Sequence, residues 1–170
     1  FIIKGVAPQI SRNAVTRYRS NNLTATMIGT TTDYFYVRNF PLEKGRYFTQ
    51  EEIESRSPVC VIGSYIAGQL FEEGENPIGK LVKLSASSST SNNKTVLKGG
   101  LRLTVIGVLQ SKGKTFGEDN DRQVVVPIDT VLYRLFNTKY IGIIYVEAPS
   151  AGQVKDTVDE IKRLLVPLHN

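Results

Sequence analysis

The sequence predicts an α+β domain, mixed α/β in type, on three observations. Leu101, Leu103, Val105 and, after one step of slippage, Val108 alternate with Arg102, Thr104 and Ile106, the period-two pattern of a strand with one buried face. Two shorter runs, Val59-Cys60-Val61-Ile62-Gly63 and Val124-Val125-Val126-Pro127, are rich in β-branched residues and closed by Gly or Pro, so they extend a sheet around that central strand. The last third alternates element types: a strand at Val124, a helix from an Asp129 cap through Phe136, a strand over Ile141 to Ala148 and a helix from Ser150 to Leu165. A βαβα order of this kind implies a right-handed crossover onto a sheet.

Taken from the start, Ser11 to Gly29 reads as a hairpin, with strands at Ala14 to Arg19 and Leu23 to Ile28 about a Ser20-Asn21-Asn22 turn and a polar exposed side. Thr32 is the expected N-cap of a short helix over Asp33 to Asn39, with Tyr34, Phe35 and Val37 as apolar contacts. Phe40 to Phe48 is broken by Pro41 and Gly45, and Thr49-Gln50-Glu51-Glu52 then forms a capping box for a helix of one to two turns. Ser64 is placed to cap a helix through Phe71, with Ile66, Leu70 and Phe71 on one side, and Glu72 to Pro77 ends it. Ile78 to Leu84 resumes strand character. Ser85 to Asn93 holds only Ser, Ala, Thr and Asn, too little apolar surface to order itself, so it predicts a mobile hairpin tip. Ser111 to Arg122 is a second loop, with Phe116 as its lone aromatic. In the final helix Val154, Val158, Ile161 and Leu165 recur at spacings of four, three and four, Asp159 and Arg163 are placed to pair outside, and Pro167 stops the run.

Composition bounds the function. A chain of 170 residues with 41% hydrophobic side chains buries one ordinary core or two small ones. No run reaches the roughly 20 apolar residues of a membrane-spanning helix, and Phe1-Ile2-Ile3-Lys4-Gly5 lacks the order of a signal peptide. The opening residue is not Met, which reads as a domain of a longer protein. Although 21 Lys and Arg exceed 16 Asp and Glu, the basic residues are spread without long runs, so no nucleic-acid partner is expected. The single Cys60 sits inside an apolar strand and reads as a buried, inert thiol.

Candidate chemistry is sparse. Gly113-Lys114-Thr115 has the ending of a phosphate loop, but the first glycine would fall at position 108, which is Val, and no helix pattern follows; no nucleotide is expected. The sole histidine, His169, lies beyond Pro167 with no nucleophile to serve, so no catalytic residue is assigned. Glu118-Asp119-Asn120-Asp121 offers oxygens to a hard cation but lacks EF-hand spacing and reads as a solvated loop, leaving no metal and no cofactor expected. The adjacent pairs Glu51-Glu52 and Glu72-Glu73 read as hydrated faces. Tyr34, Phe35 and Tyr36 could form a carbohydrate platform, but three in succession on a short helix divide between core and rim.

The punctuation carries more than the chemistry. Thr30-Thr31-Thr32-Asp33-Tyr34-Phe35, Leu42-Glu43-Lys44-Gly45-Arg46-Tyr47-Phe48-Thr49, Val61-Ile62-Gly63, Leu70-Phe71, Asn76-Pro77-Ile78-Gly79-Lys80, Val105-Ile106-Gly107-Val108 and Val126-Pro127 follow in one order. As an ordered set these motifs resemble the extracytoplasmic (periplasmic) core domain of MacB-type ABC transporter permeases of the FtsX superfamily, over nearly the whole chain from Ile3 to His169. Gly45, Arg46, Gly63, Pro77, Gly79, Gly107 and Pro127 read as structural positions within it.

The resemblance implies a two-lobed domain, with a porter-like α/β lobe at residues 1–39 and 121–170 and an inserted, strand-rich Sabre-like lobe at residues 40–120. By the same resemblance the porter-like lobe is expected to lack its start, and the Ser85 to Leu97 insert to lengthen a hairpin that is short in many relatives. Implied too is a non-enzymatic role at the extracytoplasmic face of the bacterial plasma membrane, the periplasm in a Gram-negative cell: transmitting conformational change and docking partner proteins or cargo, for export or mechanotransmission. The partners are a second permease protomer, a periplasmic adaptor or substrate protein, and a cytoplasmic ATPase domain reached through membrane helices; the fragment alone is expected to be monomeric. Thr115, Phe116 and Gly117 align with a loop facing the other protomer, while the residues themselves leave open that Phe116 folds back onto its own lobe. A cell-surface module binding a peptide or glycan is the alternative function.

Overall fold

A computed structural model describes residues 4–86, 100–115, 117–136 and 141–168. The chain opens with a long hairpin, β1 (Gly5–Tyr18) and β2 (Asn21–Thr30), followed by the short helix α1 (Asp33–Val37). Arg19, in the left-handed region at φ 52°, makes a tight turn with Ser20, one residue earlier than the sequence suggests. Asn21 and Asn22 are therefore strand residues: Asn21 donates from Nδ2 to the Leu70 carbonyl at 3.0 Å, and Asn22 Oδ1 accepts from Arg17 Nε at 2.7 Å. Strand β1 is also longer than expected, because its first half pairs antiparallel with β10 (Ile143–Glu147) from Gly5↔Glu147 to Gln9↔Ile143.

The middle of the chain contributes β3 (Leu42–Gly45), α2 (Gln50–Glu54), β4 (Val59–Ile62), α3 (Ser64–Leu70), β5 (Leu81–Ala86) and β6 (Leu101–Leu109). The capping box forms as expected, with Glu52 N donating to Thr49 Oγ1 at 3.2 Å and Thr49 N to Glu52 Oε2 at 2.9 Å. Two other caps differ from expectation: Gly63 rather than Ser64 is the N-cap of α3, and Pro127 rather than Asp129 precedes α4 (Ile128–Thr130). Thr32 is the N-cap of α1 as expected, but its hydroxyl makes no capping bond. It donates instead to the Phe48 carbonyl at 2.9 Å, tying α1 to the segment before α2.

Strand β6 is central, as its alternation predicts. It pairs antiparallel with β3 and β5 and parallel with β4, and the slippage in its pattern is a bulge between Cys60↔Val105 and Val61↔Gly107. The extra residue lets Val105 and Ile106 both be buried. Strand β9 (Gln123–Pro127) runs parallel to β2 and antiparallel to β4, and Val124, Val125 and Val126 are fully buried. Each contributes about 1.5–3 kcal/mol of burial. Because β5 pairs with both β1 and β6, the ladders run β1 to β2 to β9 to β4 to β6 to β5 and back to β1, a closed circuit of six strands. Strand β10 extends it beside β1, and β3 beside β6. The β4–β9 and β1–β5 ladders join residues 40–120 to the rest of the chain.

Strands β9 and β10 are parallel with β1 and β2 between them, joined through α4 and its π-helical continuation Val131–Phe136. Helix α5 (Val154–Leu165) departs from the expected packing. Its apolar stripe is turned largely to solvent, with Val154, Val158 and Leu165 exposed, Ile161 partly exposed and Thr157 the helix's buried residue, because the helix packs chiefly against its own flanking 3-10 turns rather than on the sheet. Arg163 pairs with Glu160, at 3.8 Å, rather than with Asp159. Pro167 lies in a 3-10 turn that follows the helix. The expected mobile tip at Ser85 to Asn93 lies outside the described residues beyond Ala86.

Candidate functional site

The loop before β9 is more ordered than its composition suggests. Lys114–Thr115 (β7) and Glu118–Asp119 (β8) form a small hairpin, with Gly113 at φ 71° and Gly117 at φ 83° allowing its bends. Its base is built on Asp121, whose Oδ1 accepts from Lys112 N at 2.7 Å and whose Oδ2 accepts from Ser111 Oγ at 2.9 Å and Gly113 N at 3.0 Å. Burial pushes the Asp121 carboxyl up, but these bonds and one from Ser64 outweigh it and hold the group below its ordinary value of 3.8. The acidic run expected to be a solvated loop thus directs one carboxylate inward onto N–H and O–H donors.

Buried Asn120 is the second tie. Its Nδ2 donates to the Gly113 carbonyl at 3.0 Å and to Thr115 Oγ1 at 2.9 Å, while its own carbonyl accepts from Gln123 Nε2 at 2.7 Å. Gln123 Oε1 in turn accepts from the Tyr34 hydroxyl at 2.8 Å, and burial raises the Tyr34 pKa. One chain of hydrogen bonds therefore runs from the hairpin to α1. Tyr34 and Phe35 are buried and Tyr36 is exposed, the division between core and rim expected for this triplet.

Two basic residues brace the hairpin from the side of α1. Lys112 Nζ donates to the carbonyls of Arg38 and Asn39, the latter at 3.0 Å, and lies 4.2 Å from the Phe40 ring centroid. Arg38 lies over the Tyr145 ring at 4.5 Å and reaches Glu118 Oε2 at 3.5 Å. Between α1, β10 and the hairpin is an open cleft of about 410 Å³, walled by Val37, Tyr145 and Thr115 and carrying Arg38, Lys112 and Glu118 on its rim. On the opposite side of the hairpin a more polar cleft of about 340 Å³ is floored by Gln9, Ser11, Asn13 and Thr26 of β1 and β2.

Of the residues singled out from sequence, Thr115 and Gly117 are in this hairpin, and Phe116 lies outside the described residues. Gly45, Arg46, Gly79 and Gly107 gather at the β6 bulge: Arg46 N donates to the Ile106 carbonyl at 2.9 Å and Gly79 N to the Val105 carbonyl at 2.8 Å. A Cβ on Gly107 would be 2.4 Å from the Arg46 carbonyl oxygen. Gly63 belongs to the hairpin's base, since a Cβ there would be 2.3 Å from the Asp121 carbonyl oxygen. Pro77 precedes Gly79 in the turn closed by Lys80 N, and Pro127 ends β9 at the start of α4. Arg38 and Lys112 were not legible as site residues: single basic side chains 74 positions apart give no spacing signal.

Asp121→Asn is expected to cost about 1–3 kcal/mol at neutral pH, because the amide nitrogen would face the Gly113 or Lys112 N–H. A folded-state pKa held below 3.8 contributes stability that is present above that value and lost as pH falls through and below it. The gap between wild type and variant should therefore narrow in acid, which urea unfolding at pH about 7 and about 3 measures.

The profile of the MacB-like periplasmic core domain family matches residues 2–164. The chain is similar to the macrolide export ATP-binding/permease protein MacB of Bdellovibrio bacteriovorus, 31% identical over 167 residues, covering 98% of this chain and 23% of that protein. It is also similar to the pyoverdine export ATP-binding/permease protein PvdT of Pseudomonas putida, 30% identical over 168 residues, covering 98% of this chain and 24% of that protein. Among solved structures, the extracellular domain of the noncanonic ABC-type transporter YknZ from Gram-positive bacteria superposes with a TM-score of 0.76 at 26% identity, over 99% of this chain and 77% of that one. The periplasmic region of MacB from Actinobacillus actinomycetemcomitans shares the fold at a TM-score of 0.76 and 23% identity, over 99% of this chain and 68% of that one. The chain thus spans about a quarter of the length of the curated relatives it matches.

Proposed function

The chain belongs to the MacB-like periplasmic core domain family, and from that premise we propose that it is a non-enzymatic extracytoplasmic domain of an ABC-type export permease, which transmits conformational change and docks a partner protein or cargo. The observation that carries this reading is the family match over residues 2–164, joined to relatives named as export ATP-binding/permease proteins. Relatives named for macrolide and for pyoverdine export share the domain, which favours transmission over recognition of one cargo as its common task. Among the described residues no helix is long and apolar enough to cross a membrane. The reading assigns membrane passage and ATP hydrolysis to other parts of the parent protein, with the ATPase cytoplasmic and this domain on the outer side of the plasma membrane.

In this reading the domain works because its surface binds a second protomer or an adaptor with different affinity in two states of the permease. The lobe division at residues 39/40 and 120/121 belongs to the same proposal, with the β4–β9 and β1–β5 ladders as the joints through which one lobe moves the other. The segment Thr115-Phe116-Gly117 is proposed to face the second protomer, as part of a hairpin whose base Asn120 and Asp121 tie down with hydrogen bonds.

Crosslinking tests this in the full-length permease. The native Cys60 is fully buried and burial pushes its thiol pKa up, so it leaves little background. Phe116→Cys on each protomer is expected to crosslink in one nucleotide state and much less in the other. A protein that stays active while crosslinking in neither state would return Phe116 to an ordinary packing role.

A further inference from the structure

We propose that the cleft between α1, β10 and the β7–β8 hairpin binds the carboxylate of an acidic polypeptide segment through Arg38 and Lys112, and that occupancy releases one of the hairpin's ties to α1 by displacing Glu118. The charges at the cleft do not balance. Arg38 and Lys112 both line it, and Glu118 is the one carboxylate among its described lining residues. Lys112 has no ion pair among the described residues; its ammonium donates to two backbone carbonyls and faces the Phe40 ring, all neutral groups. An ammonium has three donors, so one remains for a ligand. Burial and the neighbouring Arg38 charge lower the Lys112 pKa, the effect an incoming anion would reverse.

Arg38 is presented as a receptor for a planar anion. The Tyr145 ring lies 4.5 Å beneath its guanidinium, and the side chain is only 18% exposed. The ring contact restrains the group from one side and leaves donors on its other edges for a ligand. Its present partner is weak: one Glu118 oxygen at 3.5 Å, on a side chain that is 65% exposed. Such a pair is screened by solvent and is at the limit of hydrogen-bond distance. An external carboxylate taking the Arg38 fork with two bonds and the free Lys112 donor with a third would outcompete it.

The walls favour a peptide. Val37 and Tyr145 match the methylene stem of a glutamate, and a volume of about 410 Å³ takes that side chain with its flanking backbone. Thr115 Oγ1 already accepts from Asn120, so its proton is free to donate. A net charge of +5 on the chain favours approach of an acidic partner. The Arg38–Glu118 pair ties the hairpin to α1, so replacing Glu118 leaves the hairpin on its Asp121 and Asn120 base and on the Lys112 bonds alone.

The test is calorimetric titration of the protein with acetyl-Glu-Glu-amide, acetyl-Gln-Gln-amide and inorganic phosphate, each alone, with backbone amide shifts followed in parallel. The acidic peptide is expected to bind saturably near about 1 mM and the neutral one not at all. Lys112→Gln should weaken binding about tenfold, Arg38→Gln at least as much, and Glu118→Gln should tighten it by about threefold as the competing carboxylate is removed. Lys114→Gln, the same charge change on an exposed side chain outside the cleft, should leave affinity unchanged, and the Gly117 and Glu118 amides should shift on binding. Arg38→Gln also removes a packing contact, so the opposite signs at Lys112 and Glu118, which loss of folding cannot produce, decide the matter. Equal binding of the neutral peptide, binding of phosphate without the peptide, absence of saturation, or equal weakening by Lys114→Gln would each overturn the proposal.

Discussion

Gly45→Ala is expected to abolish stable folding or to cost on the order of 4 kcal/mol or more. Gly45 is held at φ 75°, which costs an L-residue roughly 1–2 kcal/mol by itself. Its Cβ would stand 2.1 Å from the Ile106 carbonyl oxygen and 2.9 Å from Gly107 Cα, and both obstacles are backbone. That backbone cannot yield cheaply, because the Gly45↔Gly107 pair and the 2.9 Å bond from Arg46 N to Ile106 O hold β3 against the bulge of the central strand. Gly79→Ala is the control. Gly79 has φ 86° but nothing within 4 Å of its Cβ position, so only the roughly 1–2 kcal/mol of backbone strain should appear. Denaturant unfolding followed by circular dichroism separates the two; equal losses would show that conformation, and not close approach of strands, is what Gly45 supplies.

Phe35→Ala is expected to cost about 3–5 kcal/mol. Phe35 is 1% exposed, stacked on Tyr47 at 4.4 Å and edge-on to Phe48 at 5.3 Å, beside Tyr34 and its stacked partner Phe40. Helix α1 has five residues, too few to hold itself together, so these rings place it. They thereby place Arg38 and the carbonyls that receive Lys112. Tyr36→Ala, on the exposed side of the same turn, should cost less than about 1 kcal/mol. The loss in Phe35→Ala should be accompanied by line broadening of the Glu118 and Lys112 amides, because the hairpin's support on α1 goes with the ring; a variant that loses stability with those amides unchanged would uncouple the two.

The central strand, its bulge, the capping box and the buried valines of β9 were legible because each is a local pattern, written in period-two alternation or in a reciprocal pair three residues apart. What was not legible depends on partners distant in sequence. The first half of β1 is a strand because β10 lies beside it, more than a hundred positions away. Thr32 makes no capping bond because its backbone is already helical, at φ −61° and ψ −29°, and its hydroxyl donates instead to the Phe48 carbonyl of another segment. Helix α5 carries an amphipathic stripe that sequence reads as core-facing, yet most of the stripe is exposed, since the helix packs chiefly on its own flanking turns. The hairpin at Lys114 to Asp119 was hidden by its polar composition, since Asp121 and Asn120 order it with hydrogen bonds rather than with apolar burial. Arg38 and Lys112 became a pair only when α1 and the hairpin met.

Whether this domain transmits conformational change is measured most directly by an inter-protomer distance on it in the full-length permease. Nitroxides attached at Glu54→Cys, an exposed position in α2, would report by double electron–electron resonance in membranes with ADP and with trapped ATP. The distance distribution is expected to shift between the two nucleotide states, because a domain that transmits conformational change must move with them. A single unshifted distribution in a permease that hydrolyses ATP and exports its cargo would contradict it.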